Sequence, residues 1–189
     1  KISEANKATL IAKEADLVIP RPYWPSPLIV TRHTFLGAAG IDESNGDGHY
    51  ILLPEDTFRS AREIFAWLRV EYGLKQLGVI ITDSHSSPFR YGASGVALGW
   101  WGIEPIEDCR GRQDLFGREI QYEQANIVDG LAAGATVVMG EVDEGTPVVI
   151  ARGVSRLVYT EKDTRDKLLV PFKDDTFRVL YEKFMPDED

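Results

Sequence analysis

The chain has 189 residues, 43% hydrophobic and 27% charged; this is enough for one well-buried domain and too little for two large independent ones. Its formal net charge of −9 argues against a nucleic-acid partner, because an acidic surface repels a phosphate backbone and gains no counterion release. No apolar run approaches the roughly 20 residues that span a bilayer, and the single cysteine, Cys109, rules out an internal disulfide and a cysteine-rich zinc site, so no membrane association and a cytoplasmic location are expected.

Residues Ser3 to Val18 are rich in Ala, Lys, Glu and Leu, with Ser3 placed to cap, and read as a helix ending before Pro20. The prolines between Arg21 and Pro27 make an extended connector, after which Leu28 to Arg32 reads as a strand. Gly37 to Gly48 is glycine-punctuated loop and Tyr50 to Leu53 a short strand. Asp56 or Thr57 opens a helix with Phe58, Ala61, Ile64, Phe65 and Leu68 on one face and Gly73 as C-cap. Leu77 to Thr82 suits a buried strand that stops at Asp83-Ser84, and a second strand runs through Gly95 to Trp101. Glu119 to Ala135 contains an alanine-rich helical half, Val148 to Ala151 reads as a short buried strand, and Asp175 to Phe184 as an amphipathic helix. Strands and helices are interspersed without strict alternation, which predicts an α+β fold. Residues 1–189 are read as one domain.

Several segments carry residues suited to chemistry, each with a plain structural alternative. Asp83 emerges from an apolar strand, where a rigid element can hold a metal ligand or catalytic group, with the Ser84 hydroxyl beside it; alternatively Asp83 caps a strand-to-loop turn. Asp42 lies in a loop of hard oxygen donors, Asp42 to Asp47, which is a poor match to a calcium loop because the twelfth position is Leu53 rather than Glu; a solvated turn is the alternative. Glu141 sits between Gly140 and Gly145, where the backbone can approach a ligand closely, or forms an acidic hairpin loop. Arg110, Arg112 and Arg118 offer guanidinium forks for phosphate or carboxylate, or pair with Asp108, Asp114 or Glu119. His33, His49 and His85 lack metal-ligand spacing, and Trp100-Trp101 reads as core or interface. There is no Walker-type phosphate loop and no nucleophile elbow, so nucleotide chemistry needs another design.

Taken in order, these blocks resemble the coenzyme F420-0:γ-glutamyl ligase family. The resemblance runs from about Ala38 to Gly153 and rests on Ala39-Gly40-Ile41-Asp42-Glu43-Ser44-Asn45, Leu52-Leu53-Pro54-Glu55-Asp56, Gly78 to Ser84, Phe89-Arg90 with Gly92, Gly111 to Glu119, and Val138-Met139-Gly140-Glu141. It implies transfer of a GTP γ-phosphate to an acceptor carboxylate and attack of the L-glutamate amine on the acyl phosphate, with two divalent ions (Mg2+ or Mn2+), K+ as an additional ion, and a homodimer. By the same resemblance Asp42, Asp83, Ser84 and Glu141 are metal-contacting positions. Asn45 contacts the nucleotide, and Met139, Gly140, Glu141, Val142, Asp143, Glu144, Gly145 and Thr146 line its phosphates.

The sequence departs from the family in places. The chain begins at Lys1 without a methionine or signal-peptide order, and the family's N-terminal Ser-Lys segment is missing or reduced, so the chain is read as an incomplete view of its gene product. The text Gly99-Trp100-Trp101-Gly102-Ile103-Glu104-Pro105 looks more like a branch of relatives linked to folate-like acceptors, which leaves folate-like and F420-0-like acceptors both open. A non-catalytic nucleotide- and metal-binding regulatory module on the same fold is the alternative reading.

Overall fold

Ser3, at the start of the part described by the computed structural model (residues 3–185), caps the first helix. Its hydroxyl accepts the Asn6 N–H at the N-terminus of α1 (Glu4–Glu14). The helix stops four residues earlier than its composition predicts, at Glu14 rather than Val18, because Leu17–Ile19 forms strand β1 instead. Tertiary pairing overrides helix propensity here: β1 lies antiparallel to β2 (Leu28–Thr31), with Leu17 opposite Val30 and Ile19 opposite Leu28. The short β3 (Thr34–Phe35) completes this sheet in the order β1-β2-β3. A 3-10 turn, Gly37–Gly40, follows, with Ala38 and Ala39 both left-handed. Tyr50 to Leu53, expected as a strand, contributes only an isolated bridge between Ile51 and Asp42.

Helix α2 (Thr57–Tyr72) agrees with expectation at both ends. The Asp56 carboxylate accepts the Arg59 N–H, and Gly73 adopts the left-handed conformation (φ 62°) that a C-terminal cap favours. It packs on the hairpin formed by β4 (Val79–Ser86) and β5 (Ala93–Trp101). β4 does not end at Thr82: Asp83, Ser84 and His85 continue the ladder opposite Val96, Gly95 and Ser94. Polar side chains do not stop a strand whose backbone has a partner. β6 (Ile106–Asp108) pairs with β7 (Gln124–Asn126), and the helical half expected within Glu119–Ala135 is α3 (Ile127–Met139), capped by Asn126.

β5 is covered on both faces, which explains its consecutive apolar residues. Ala97 and Trp100 pack with Ile103, Val128 and Ala132, joined by Phe58 and Ile80. Val96 and Leu98 pack with Leu36 and Leu53 on the opposite side. Trp100 is 1% exposed and its indole N–H donates to the Thr164 hydroxyl at 3.0 Å, so it is core. Two separate clusters lie around β1–β2, one with Tyr181 and Phe172, the other with Ala39, Ile41 and Leu10.

The remaining expectations give way in the C-terminal part. Val148 to Ala151 has no regular structure, and Val148 and Ile150 are exposed; no strand lies beside them among the described residues to complete a ladder. Asp175 to Phe184 is broken into 3-10 turns, Arg178–Leu180 and Glu182–Phe184, because Tyr181 between them leaves helical geometry (φ −133°) to bury its ring under β1. The architecture is α+β, built of small antiparallel sheets and helices. No helix of the described residues is long and apolar enough to cross a membrane. The outermost residues of the single-domain reading, 1–2 and 186–189, lie outside the described residues.

Candidate functional site

Asp83 occupies the middle of β4, half-buried, with Oδ1 accepting the Ser84 N–H at 2.8 Å. Burial pushes its carboxyl above the usual carboxylate range, and the negative charges of Asp42 and Glu141 push it further, while the Ser84 N–H and His85 act in the opposite sense. Acids from three separate segments, the 42–48 loop, β4 and the loop after α3, thus lie close enough for their charges to act on Asp83. Successive strand residues face opposite sides, so Ser84 points away from Asp83. Its cross-strand partner Gly95 lies against α3, where a Cβ would come within 2.3 Å of the Ala132 carbonyl.

The loop carrying Asp42 is held at its base by paired backbone bonds between Asp42 and Ile51 (3.0 and 2.9 Å). Asn45, left-handed at φ 57°, reaches across and donates Nδ2 to the Val142 carbonyl at 2.8 Å. Two segments expected to contact a nucleotide, far apart in sequence, therefore meet. Met139 is the last residue of α3, Gly140 turns the chain (φ 78°), and Glu144 folds back so that Oε2 accepts the Val142 N–H at 2.9 Å. A Cβ on Gly140 would lie 2.0 Å from the Glu144 carboxyl carbon, so glycine is what allows this approach. The Val142 N–H, followed by the amide of Glu144 itself and those of Asp143 and Glu141, holds the Glu144 carboxyl below its usual range. Gly145 is left-handed and the Thr146 hydroxyl donates to the Glu144 carbonyl. No strand of the described residues follows, so this loop is not a hairpin.

The arginine segment is engaged elsewhere. Arg110 forks onto Asp108 (2.6–3.1 Å), whose carboxyl falls to about 2 through that side-chain bond. Arg112 pairs with Glu107 at 2.5 Å, and Arg156 binds the same carboxylate. Arg118 contributes its backbone N–H to Asp114, and its side chain forms no ion pair among the described residues. These contacts are the structural alternative for Arg110 and Arg112, with Glu107 in place of Asp114 or Glu119.

Three helix side chains to which the sequence reading gave no role in the site, Thr57, Asp129 and Thr136, hold β5. The pairing slips between Ile81, opposite Gly99, and Thr82, opposite Ala97, leaving Leu98 as an extra residue, a β-bulge. The Thr57 hydroxyl donates to the Leu98 carbonyl at 2.6 Å, the Ala97 N–H donates to Asp129 Oδ1 at 2.9 Å, and the Gly95 N–H donates to the Thr136 hydroxyl at 3.1 Å. Asp129 was visible as the one charged residue in an otherwise uncharged helix.

The donors around Asp83 are hard carboxylate oxygens, the type that suits Mg2+ or Mn2+. Burial, and after it the negative charges of Asp42 and Glu141, raise the Asp83 carboxyl, and a bound cation would offset both. Among the described residues no three His, Cys, Asp or Glu side chains come together as a group that could hold a metal ion. The carboxylates match the ligand chemistry of a hard divalent ion without converging into a binding group among the described residues.

Comparison with known proteins decides the family. The profile of the F420-0:Gamma-glutamyl ligase family matches residues 2–153. The chain belongs to the F420-0:gamma-glutamyl ligase family. Similar relatives include the Coenzyme F420:L-glutamate ligase of Methanopyrus kandleri, 50% identical over 61% of this chain and 46% of the relative. That of Methanothermobacter thermautotrophicus is 49% identical over 65% of this chain and 49% of the relative. That of Methanocaldococcus jannaschii is 44% identical over 78% and 59% respectively. This F420-0:gamma-glutamyl ligase family member therefore spans about half the length of the curated relatives it matches. The profile covers Asp42, Asn45, Asp83 and the Met139–Thr146 loop, and stops before the 3-10 turns of the C-terminal part.

Proposed function

We propose that this chain works in a GTP- and divalent-metal-dependent γ-glutamyl ligase that joins L-glutamate to a small-molecule carboxylate acceptor. The observation that carries this reading is the half-buried Asp83 carboxyl, raised by burial and by Asp42 and Glu141, in a chain of the F420-0:gamma-glutamyl ligase family. In the first step an acceptor carboxylate oxygen forms a bond to the γ-phosphorus and the bond to the GDP oxygen breaks, giving an acyl phosphate and GDP. In the second the glutamate amine attacks the acyl carbon, the amide forms, and phosphate and a proton leave. Mg2+ or Mn2+, when bound, neutralises charge on the transferring phosphoryl group.

The protein's own groups have defined tasks in this reading. Asp42, Asp83 and Glu141 hold the divalent ions. Asn45 ties the 42–48 loop to Val142, and the Met139–Thr146 loop lies along the phosphates. Ser84 takes part only through its backbone, since its side chain is on the α3 side. Arg118 is the arginine left to meet a substrate carboxylate, with Arg110 and Arg112 available only by exchanging exposed ion pairs, which are weak. The cytoplasm, a homodimer and K+ as an additional ion belong to the same proposal; exposed Val137 and Val138 on α3 support an intersubunit face.

The acceptor is F420-0-like, in keeping with the F420-0:gamma-glutamyl ligase family to which the chain belongs. The Gly99–Pro105 text that resembles the folate-linked branch contains the buried Trp100 and Ile103, so it reports core packing rather than substrate contact. Mass spectrometry after incubation with GTP, Mn2+, L-glutamate and either F420-0 or a folate tests this. A glutamate added to F420-0 with equimolar GDP is expected. Bound nucleotide with no product from either acceptor would instead support a non-catalytic nucleotide- and metal-binding module.

A further inference from the structure

We propose that Asp129, assisted by Thr57, is a positioning residue that clamps the β5 bulge and thereby keeps Asp83 on the acid-bearing face of the hairpin. This rests on the metal-binding reading of Asp83. Without the extra residue at Leu98, pairing continued from Ile81 and Gly99 would set Asp83 opposite Ala97 and Ser84 opposite Val96. Ala97 faces the α3 side, with Val128 and Ala132, whereas Val96 and Leu98 face Leu36 and Leu53. A one-residue slip exchanges the faces of a strand. The hairpin would then either turn Asp83 toward α3 or expose its apolar set. The bulge reconciles the two, keeping Ile80 with Trp100 in the core and Asp83 opposite Val96.

A bulge disturbs the local ladder, and its backbone groups need other partners. They come from two helices. Asp129 Oδ1 receives the Ala97 N–H at 2.9 Å, and the Thr57 hydroxyl, on a residue only 3% exposed, donates to the Leu98 carbonyl at 2.6 Å. Asp129 is itself aimed by the residue that caps its helix: its Oδ2 accepts Asn126 Nδ2 at 2.5 Å, and its N–H donates to Asn126 Oδ1 at 3.1 Å. The start of α3 thus sets the direction of the carboxylate, the carboxylate sets the bulge, and the bulge sets the register of the metal-site strand. Neither Asp129 nor Thr57 needs to touch metal or substrate.

The test compares the whole chain with Asp129→Ala, Asp129→Asn, Thr57→Val and Thr57→Ser, measuring affinity for Mn2+ alone and amide exchange along β5. Asp129→Asn keeps an oxygen acceptor for Ala97, and Thr57→Ser keeps the donor to Leu98. We expect faster exchange at Ala97 and Leu98 and an affinity loss of roughly 10- to 100-fold in Asp129→Ala and Thr57→Val, the range typical of residues that orient metal ligands. The conservative variants are expected to stay close to wild type in both measurements. Faster exchange with wild-type Mn2+ affinity in the disruptive variants overturns the positioning role and leaves the metal reading standing. Absence of Mn2+ binding by the wild-type chain overturns both. Should Asp129→Ala not fold, the Thr57 pair decides by the same readouts.

Discussion

Asp83 is held where its charge is unwelcome: burial and two neighbouring acids all favour the protonated form. A residue in that position weakens the metal-free fold in return for a binding site, so replacing its charge should relieve strain without disturbing β4. Asp83→Asn retains an oxygen for the Ser84 N–H. In metal-free buffer at neutral pH its melting temperature is expected to equal or exceed that of the wild-type chain, and Mn2+ should raise the melting temperature of the wild type only. A lower metal-free melting temperature for Asp83→Asn would show that the carboxylate is a structural anchor. Glu141 differs, being exposed on the loop that Asn45 joins. Glu141→Ala should weaken Mn2+ and GTP binding more than acceptor binding, which calorimetric titration measures; wild-type GTP affinity at saturating Mn2+ would contradict that role.

At the scale of elements, local signals and their outcomes agree best in α2. Asp56, Thr57 and Gly73 are short-range punctuation, and the helix begins and ends where they place it. The same cap yields a pH prediction. The Arg59 N–H, first among several influences, holds the Asp56 carboxyl below its ordinary value. A carboxyl with a depressed folded-state pKa contributes stability above its unfolded value near 3.8, and that contribution disappears as pH falls through the lower folded value. Asp56→Ala should therefore cost about 1 kcal/mol near neutral pH, with the difference from wild type closing below about pH 4 as the carboxylate protonates in both states. Denaturant melts across that range check it; a constant difference down to strongly acid pH would rule out the charged cap. β4 shows the limit of local reading. The apolar run to Thr82 was legible, but the strand's continuation through Asp83 to Ser86 depends on Ala93–Ser94–Gly95–Val96 lying opposite, information that no window around Asp83 contains. The bulge at Leu98 was hidden for the same reason, being a relation between two strands and two helices.

For the whole molecule, the best-built region is the hairpin with α2 and α3 around Trp100. Trp100→Ala is expected to cost about 3–5 kcal/mol, enough to unfold much of a domain of ordinary stability, as seen by loss of a cooperative thermal transition; a change within about 1 kcal/mol would mean that Trp100 is not central. Long-range assembly also explains where sequence reading stopped. Val148 to Ala151 is as β-branched as a buried strand, yet no neighbouring strand of the described residues receives it. Tyr181 instead draws the 175–184 segment out of helical geometry into the β1–β2 cluster. In the sequence Asp42, Asn45, Asp83 and Glu141 stood out through the family resemblance, while their residue types alone allowed plain turns and caps at Asp42, Asp83 and Glu141. Their mutual approach, and the side to which Ser84 turns, exist only in the assembled fold.

The most direct test of the central claim is GTP turnover by the Asp83→Asn chain in the presence of Mn2+, L-glutamate and F420-0, measured beside the wild type. Turnover in the wild type and its loss in the variant, with the variant's melting temperature undiminished, is the predicted result. Equal turnover in both would contradict the assignment of Asp83 to the metal site.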